Sequence, residues 1–264
     1  MSAIASPRTV LVTRPPGRGD ALLARLAALG IEAEHHPFQR LVPVPEAELA
    51  AVRALLTDGT CTHLVVTSPT VVEVLGAVQV PVGTDVVAVG EGTAAALRTA
   101  GVPVTLVAGG SGAALVQEMP PAGPGASVLF PASAAAARTV PDGLRAKGYR
   151  VQEVPVYRPE QLELPAAVTT GLPTGGYAAL VLTSPQIARR AAELGVHPGT
   201  GIVTIGAPTS VAVRQAGLPV GRQAESPDDA ALAHAVQQVL AHPTDPAARP
   251  AAPPPPIRLP KESR

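Results

Sequence analysis

The stretch SVLFPASAAAARTVPDGLRAKGYRVQEVPVYRP, residues 127–159, repeats TVLVTRPPGRGDALLARLAALGIEAEHHPFQRL, residues 9–41. Val10 falls on Val128, Gly30 on Gly148 and Pro37 on Pro155, each 118 residues apart. Two more pieces recur in order. ALVLTSP (179–185) repeats HLVVTSP (63–69), and IVTIGAPTSVAVRQAGLPV (202–220) repeats VVAVGEGTAAALRTAGVPV (86–104), both at a spacing of 116. Matches that keep their order and nearly their spacing mean a duplicated unit of about 116 residues.

Within a copy, short apolar runs alternate with helical patterns. The strand at 9–13 leads through a glycine-bearing loop into DALLARLAALG, where Leu22, Leu26 and Leu29 share one helical face and Gly30 marks the end. Later elements follow the same grammar: a helix near 46–56, a short strand in THLVVTSP (62–69) followed by a helix, then strand, turn and helix in DVVAVGEGTAAALRTAG (85–101), a further strand in VPVTLVA (102–108), and a short helix near 111–119. Alternating strands and helices imply parallel sheets covered on both faces, with right-handed crossovers. The expected fold is therefore α/β, with two similar parallel-sheet lobes from an internal duplication. Ligand-binding residues in such sheets lie beyond the carboxyl ends of the strands, where the TSP, VGEGT and IGAPT junctions fall. The prolines of IEAEHHPFQRLVPVP (31–45) suit an exposed extended segment better than a central strand.

Composition narrows the function. At 264 residues and 46% apolar, the chain can bury two cores, and with 2% aromatic residues and no Trp those cores are aliphatic. Formal net charge of +0 argues against bulk attraction to nucleic acid, and stacking aromatics are scarce. One cysteine, Cys61, excludes intrachain disulfides and cysteine-rich metal sites, and the six histidines show no ligand spacing. MSAIASPRTVLVTRP lacks the flank and apolar stretch of a signal peptide, and no run of about 18 apolar residues occurs, so a cytoplasmic protein without a membrane span is expected. Neither VGEG nor IGAP supplies the glycine fingerprint of a dinucleotide site. From His242 onward the composition turns proline-rich, with Pro253 to Pro256 consecutive, and a disordered tail is expected at 243–264.

The ordered set VLVTRP, THLVVTSPTVVEVL, VVAVGEGTAAALRTAG, SVLFPASAAAARTVPDGLRAKGYRVQEVPVYRP, ALVLTSP, IVTIGAPTSVAVRQAGLPV and AESPDDAALAHAV resembles the uroporphyrinogen-III synthase family from about Thr9 to Leu240. The resemblance implies two lobes joined by two crossing strands, with a substrate cleft between them. It places 1–38 with 158–242 in a composite lobe and 39–157 in an inserted one. It implies a dehydrating lyase that closes hydroxymethylbilane, a linear tetrapyrrole with eight carboxylates, into uroporphyrinogen III with inversion of the last pyrrole ring. The alternative is a non-catalytic two-lobed binding or regulatory protein of the same fold. No metal or organic cofactor is implied. A monomer is expected, with a polycarboxylate tetrapyrrole as its partner and transient contact with hydroxymethylbilane synthase.

The same resemblance singles out Tyr157, in VYRP, as the catalytic candidate: its phenol would steer the departing hydroxyl or act as a weak general acid, with packing as the competing role. Its repeat partner is taken as Phe38, which has no hydroxyl. Thr93 and Thr209, at symmetric turn-to-helix junctions, would cap a helix, bind an acetate or propionate, or do both. Ser68 and Ser184 in the TSP loops either donate to a carboxylate or end a strand. Arg14 and Arg138, in or after strand-end loops, are the cationic candidates, with Arg40 and Arg158 weaker ones. PASAAAAR stands where the family has a glycine-richer loop, which puts an anion-binding role for its backbone in doubt.

Overall fold

The computed structural model describes residues 9–242. The proline-rich segment 243–264 lies outside them. The chain runs β1 (Val10–Val12), α1 (Asp20–Ala28), β2 (Ala33–His35), β3 (Gln39–Pro43), α2 (Glu46–Thr57), β4 (His63–Val66), α3 (Pro69–Leu75), β5 (Asp85–Val89), α4 (Gly90–Thr99), β6 (Leu106–Ala108), α5 (Gly112–Glu118) and β7 (Ser127–Ser133). It continues through α6 (Thr139–Ala146), β8 (Arg150–Gln161), α7 (Ala166–Thr174), β9 (Ala179–Leu182), α8 (Pro185–Leu194), β10 (Gly201–Thr204), α9 (Ala207–Gln215), β11 (Arg222–Gln223) and α10 (Asp229–Ala241).

Two compact units result. Among the described residues the first holds 9–38 together with 163–242, and the second holds Gln39–Leu162. The first unit is a five-stranded sheet ordered β11-β10-β9-β1-β2, parallel throughout. The second is six-stranded, ordered β3-β8-β7-β4-β5-β6. The duplication pairs β1 with β7, β2 with the start of β8, β9 with β4, β10 with β5 and β11 with β6, so both sheets have the same strand order. Their registers agree as well: Val10 pairs with Ala33 and Ala179, and Val128 with Val151 and His63. The departure from an all-parallel pattern is β3, which pairs antiparallel with the far half of β8, Gln39 opposite Gln161 and Pro43 opposite Tyr157. Its prolines are tolerated because it lies at an edge.

Apolar residues on consecutive positions bury both faces of each sheet. In β1, Val10, Leu11 and Val12 are all fully buried. Leu11 joins Leu180, Ile202, Leu172 and Ile187 beneath α7, α8 and α9, while Val10 and Val12 join Leu22, Leu26, Leu232 and Val236 beneath α1 and α10. The second unit repeats the division, with Leu64, Val86 and Leu129 on one face and Val65, Val87 and Val128 on the other. Leu29, grouped with the core by spacing, is instead 44% exposed. It follows the last residue of α1, where the chain is already turning into Gly30 at φ +71°. Gly148 does the same after α6 at φ +93°, a positive angle that a residue with a Cβ resists.

Tyr177, before β9, is 5% exposed and its hydroxyl lies 3.3 Å from Glu34 Oε2. Burial first, then the Glu34 charge and its hydrogen bond, push the phenol from 10.0 up to about 12. A pKa raised by folding favours the neutral form, so this contribution is whole below pH 10.0 and is lost as pH rises through about 12. Burial, and then the Asp85 charge, raise the Tyr149 phenol too, so a tyrosinate absorbance titration is expected to show two of the three tyrosines ionising late, with denaturant midpoints falling as Tyr177 titrates at about 12.

Candidate functional site

At the carboxyl edge of the first sheet, adjacent strands β10, β9 and β1 lead to Thr209, Ser184 and Arg14 respectively. In the second sheet, adjacent β5, β4 and β7 lead to Thr93, Ser68 and Arg138, with Tyr157 on β8 opposite Ser133 at the end of β7. The seven leading candidates therefore fall at carboxyl edges, three in one unit and four in the other, whereas the weaker candidates Arg40 and Arg158 lie on the antiparallel β3–β8 pair.

Ser68 and Ser184 are both N-caps. Ser68 Oγ accepts from the Thr70 amide at 3.2 Å, and Ser184 Oγ from the Ile187 amide at 3.2 Å. A proline at the first helical position follows each, fixing φ where no intrahelical donor is needed. From sequence, capping is expected of the threonines and not of these serines, and accepting a capping bond leaves the serine hydroxyl proton available to a carboxylate.

The threonines sit one turn deeper than expected. Thr93 is the fourth residue of α4, whose N-cap is Val89, and Thr209 the third of α9, whose N-cap is Gly206. Neither caps its helix. The reason is that each helix begins at or just after its glycine, before the threonine is reached. They are 3% and 2% exposed, and among the described residues neither hydroxyl has a protein hydrogen-bond partner.

Arg14 is 13% exposed and its Nη1 meets Asp229 Oδ1 at 2.5 Å and the Arg18 carbonyl at 3.2 Å. Asp229 opens α10, which Asp228 caps through the amides of Ala230 and Ala231, so the pair ties the exit of β1 to a helix start. His35 Nε2 lies 2.8 Å from the Arg14 carbonyl. A Cβ on Gly19 would stand 2.6 Å from that imidazole ring, so a glycine there lets loop and ring pack together.

Arg138 is 61% exposed on its side chain and already engaged: Nη1 reaches Glu153 Oε2 at 2.8 Å and Nη2 reaches Asp142 Oδ1 at 2.7 Å. These carboxylates raise its pKa, Asp142 most and then Glu153. Arg40 and Arg158 share Glu160, whose carboxyl they hold below its ordinary value, Arg40 foremost. Successive strand residues face opposite sides, so Arg158 points away from the side into which Tyr157 packs.

Tyr157 is 8% exposed, a member of the buried cluster that includes Val156 and Leu129, and its carbonyl accepts from the Ala134 amide at 2.8 Å. Among the described residues its hydroxyl has no protein partner. The ladder between β7 and β8 slips by one residue after Ala132, where Ser133 pairs with Tyr157, so Val156 is the extra residue and Tyr157 takes the register place of Phe38. Phe38 has no hydroxyl, so the phenol belongs to one copy alone. The alanine loop after β7 spends its amides internally, Ala135 on Ser133 Oγ and Ala136 on the Ser133 carbonyl.

Sequence reasoning missed Asp229 and Glu153, the partners of the two arginines. The SPDD run at 226–229 did carry a signal for the first, because Ser-Pro-Asp-Asp before an alanine-leucine run is a helix start. Among the described residues no cluster of His, Cys, Asp and Glu could hold a metal ion, and no helix is long and apolar enough to cross a membrane.

Fold and edge residues together define a class: a duplicated α/β protein whose two parallel sheets present matching serine and threonine junctions. A family model described as uroporphyrinogen-III synthase HemD matches residues 20–234. The chain belongs to the uroporphyrinogen-III synthase family. A crystal structure of a mutant uroporphyrinogen III synthase from the extremely thermophilic bacterium Thermus thermophilus is similar over 89% of this chain and 99% of that one, at 20% identity and a TM-score of 0.66. That of uroporphyrinogen-III synthetase from Helicobacter pylori is similar over 88% and 99%, at 16% identity and a TM-score of 0.58. At such identities these likenesses speak to the fold. No curated protein matches in sequence.

Proposed function

We propose that the chain closes hydroxymethylbilane to uroporphyrinogen III, expelling water and inverting the terminal pyrrole ring. Family membership supports an enzyme acting on a tetrapyrrole. The observation that carries the finer reading is the matched set at the carboxyl edge of each sheet: a capping serine with a proton to donate, and a nearly buried threonine hydroxyl with no protein partner. Groups of that kind suit the carboxylates of a flexible polyanion, which must be held in one geometry before the ring can close.

In this reading Ser68, Thr93, Ser184 and Thr209 receive side-chain carboxylates. Arg14 adds charge; both its protein bonds use Nη1, which leaves the rest of the guanidinium fork for a ligand. Arg138 contributes least, since Glu153 and Asp142 already neutralise it. Tyr157 donates a proton to the hydroxyl, which departs as water and leaves an azafulvenium cation; return of the pyrrole N–H proton to the phenolate gives the reactive azafulvene. No step calls on a metal or organic cofactor, and the enzyme acts as a cytoplasmic monomer.

Freshly generated hydroxymethylbilane, incubated with the protein and oxidised, separates the outcomes by chromatography. Predominant type III product is expected. Type I product at the spontaneous rate would reject the enzyme and leave a binding protein of the same fold.

A further inference from the structure

One corner of the first unit is built differently from its copy in the second. Thr204 ends β10, Ser210 is the fourth residue of α9, and Gln223 ends the two-residue β11. Thr204 Oγ1 and Ser210 Oγ are 2.6 Å apart, and Ser210 Oγ donates to Gln223 Oε1 at 2.8 Å. Since a hydroxyl has one proton to give, Thr204 donates to Ser210, and the three groups form a directed chain. Thr204 and Ser210 are fully buried. At the spacing of 116 the corresponding residues of the second unit are Ala88, Ala94 and Val107. There the same corner closes by apolar packing, with Ala88 and Ala94 fully buried.

The chain of hydroxyls stands where a helix cap is missing. The N-cap of α9 is Gly206, which has no side chain to offer, and its backbone is extended at φ 176°. Ser210 instead ties the first turn of α9 sideways to β10 and β11, and the residue next to it is Thr209. We infer that Ser210, Thr204 and Gln223 are positioning residues that fix the Thr209 hydroxyl, and with it the carboxylate it receives, so that the first unit holds its share of the substrate more rigidly than the second. The inference rests on the reading of Thr209 as a carboxylate-binding group.

The sharpest variant is already present in the chain as a design. Thr204→Ala with Ser210→Ala copies the apolar corner of the second unit, so the fold has a precedent for it. Removing both partners together leaves neither hydroxyl stranded, and the thermal midpoint is expected to stay unchanged. KM for hydroxymethylbilane is expected to rise about tenfold, the loss of one hydrogen bond to a charged group, while kcat per folded molecule falls less. A merely structural role lowers the number of active molecules and leaves KM alone. Gln223→Met, on an exposed edge strand, provides a second variant that removes only the terminal acceptor, and a smaller rise in KM is expected. Ser210→Thr keeps the hydroxyl and is expected to restore KM.

Amide hydrogen exchange gives a readout independent of turnover: faster exchange across 209–212 in the double variant and in Gln223→Met is expected. Unchanged exchange and unchanged KM in both would overturn the inference. If the wild-type protein shows no turnover, the proposed function fails, and unchanged exchange then overturns the positioning role separately.

Discussion

Tyr157→Phe is expected to lower kcat on hydroxymethylbilane on the order of a hundredfold, the lower range for losing a positioned general acid, while the folded state keeps its stability. The two halves of that expectation come from different atoms. The residue belongs to a buried cluster with Val156 and Leu129 and is 8% exposed, and phenylalanine keeps the same ring. The hydroxyl has no protein partner among the described residues, so its removal strands no buried donor or acceptor. Steady-state kinetics beside a denaturation curve checks both halves. An unchanged kcat in a folded variant would remove the phenol from the reaction and reduce Tyr157 to packing.

Leu180→Ala should cost about 2–5 kcal/mol of unfolding free energy, the range for a fully buried leucine truncated in a close-packed interior. Leu180 is 0% exposed on β9, directly between Leu11 of β1 and Ile202 of β10. Strands on both sides are fixed by their ladders, so the sheet cannot collapse into the vacated space. Urea midpoints at constant slope measure the loss. Val211→Ala, at 48% exposure, supplies the contrast and is expected to change stability by no more than about 0.5 kcal/mol. A Leu180→Ala loss below about 1 kcal/mol would mean that this row of side chains does not carry the core.

The fold was legible because duplication writes itself twice. Val10 and Val128, or Gly30 and Gly148, mark the same strand and the same helix end, and a match at constant spacing is stronger than either pattern alone. Ser68 and Ser184 read in the sequence as strand ends or carboxylate donors, although serine before proline at a strand end is also a local signal for the helix caps they form. What stayed hidden depended on neighbours distant in sequence. Nothing in the residues around Arg138 shows that Glu153 will reach it from β8, and nothing around Arg14 names Asp229, 215 residues away. The threonines illustrate a smaller failure. Spacing placed Thr93 and Thr209 at the junctions, but which residue opens a helix is decided within one turn, and there Gly90 and Gly206 intervened. The Thr204–Ser210–Gln223 corner was invisible until structure and repeat were read together, since only the apolar counterparts make its polarity notable.

The first sheet is assembled from both ends of the chain, and this sets an order of events during synthesis. Thr13, just past β1, bonds the Val181 carbonyl at 2.7 Å across a separation of 168 residues. At about 5–20 residues per second, the ribosome needs on the order of 10 s to supply that partner. The second unit is contiguous and has all its strands once Leu162 has emerged. The Val-Leu-Val run of β1 therefore waits with only β2 and α1 to cover it, without β9 and α10, while the contiguous unit is already complete, and a chaperone that shields this segment has a defined interval in which to act.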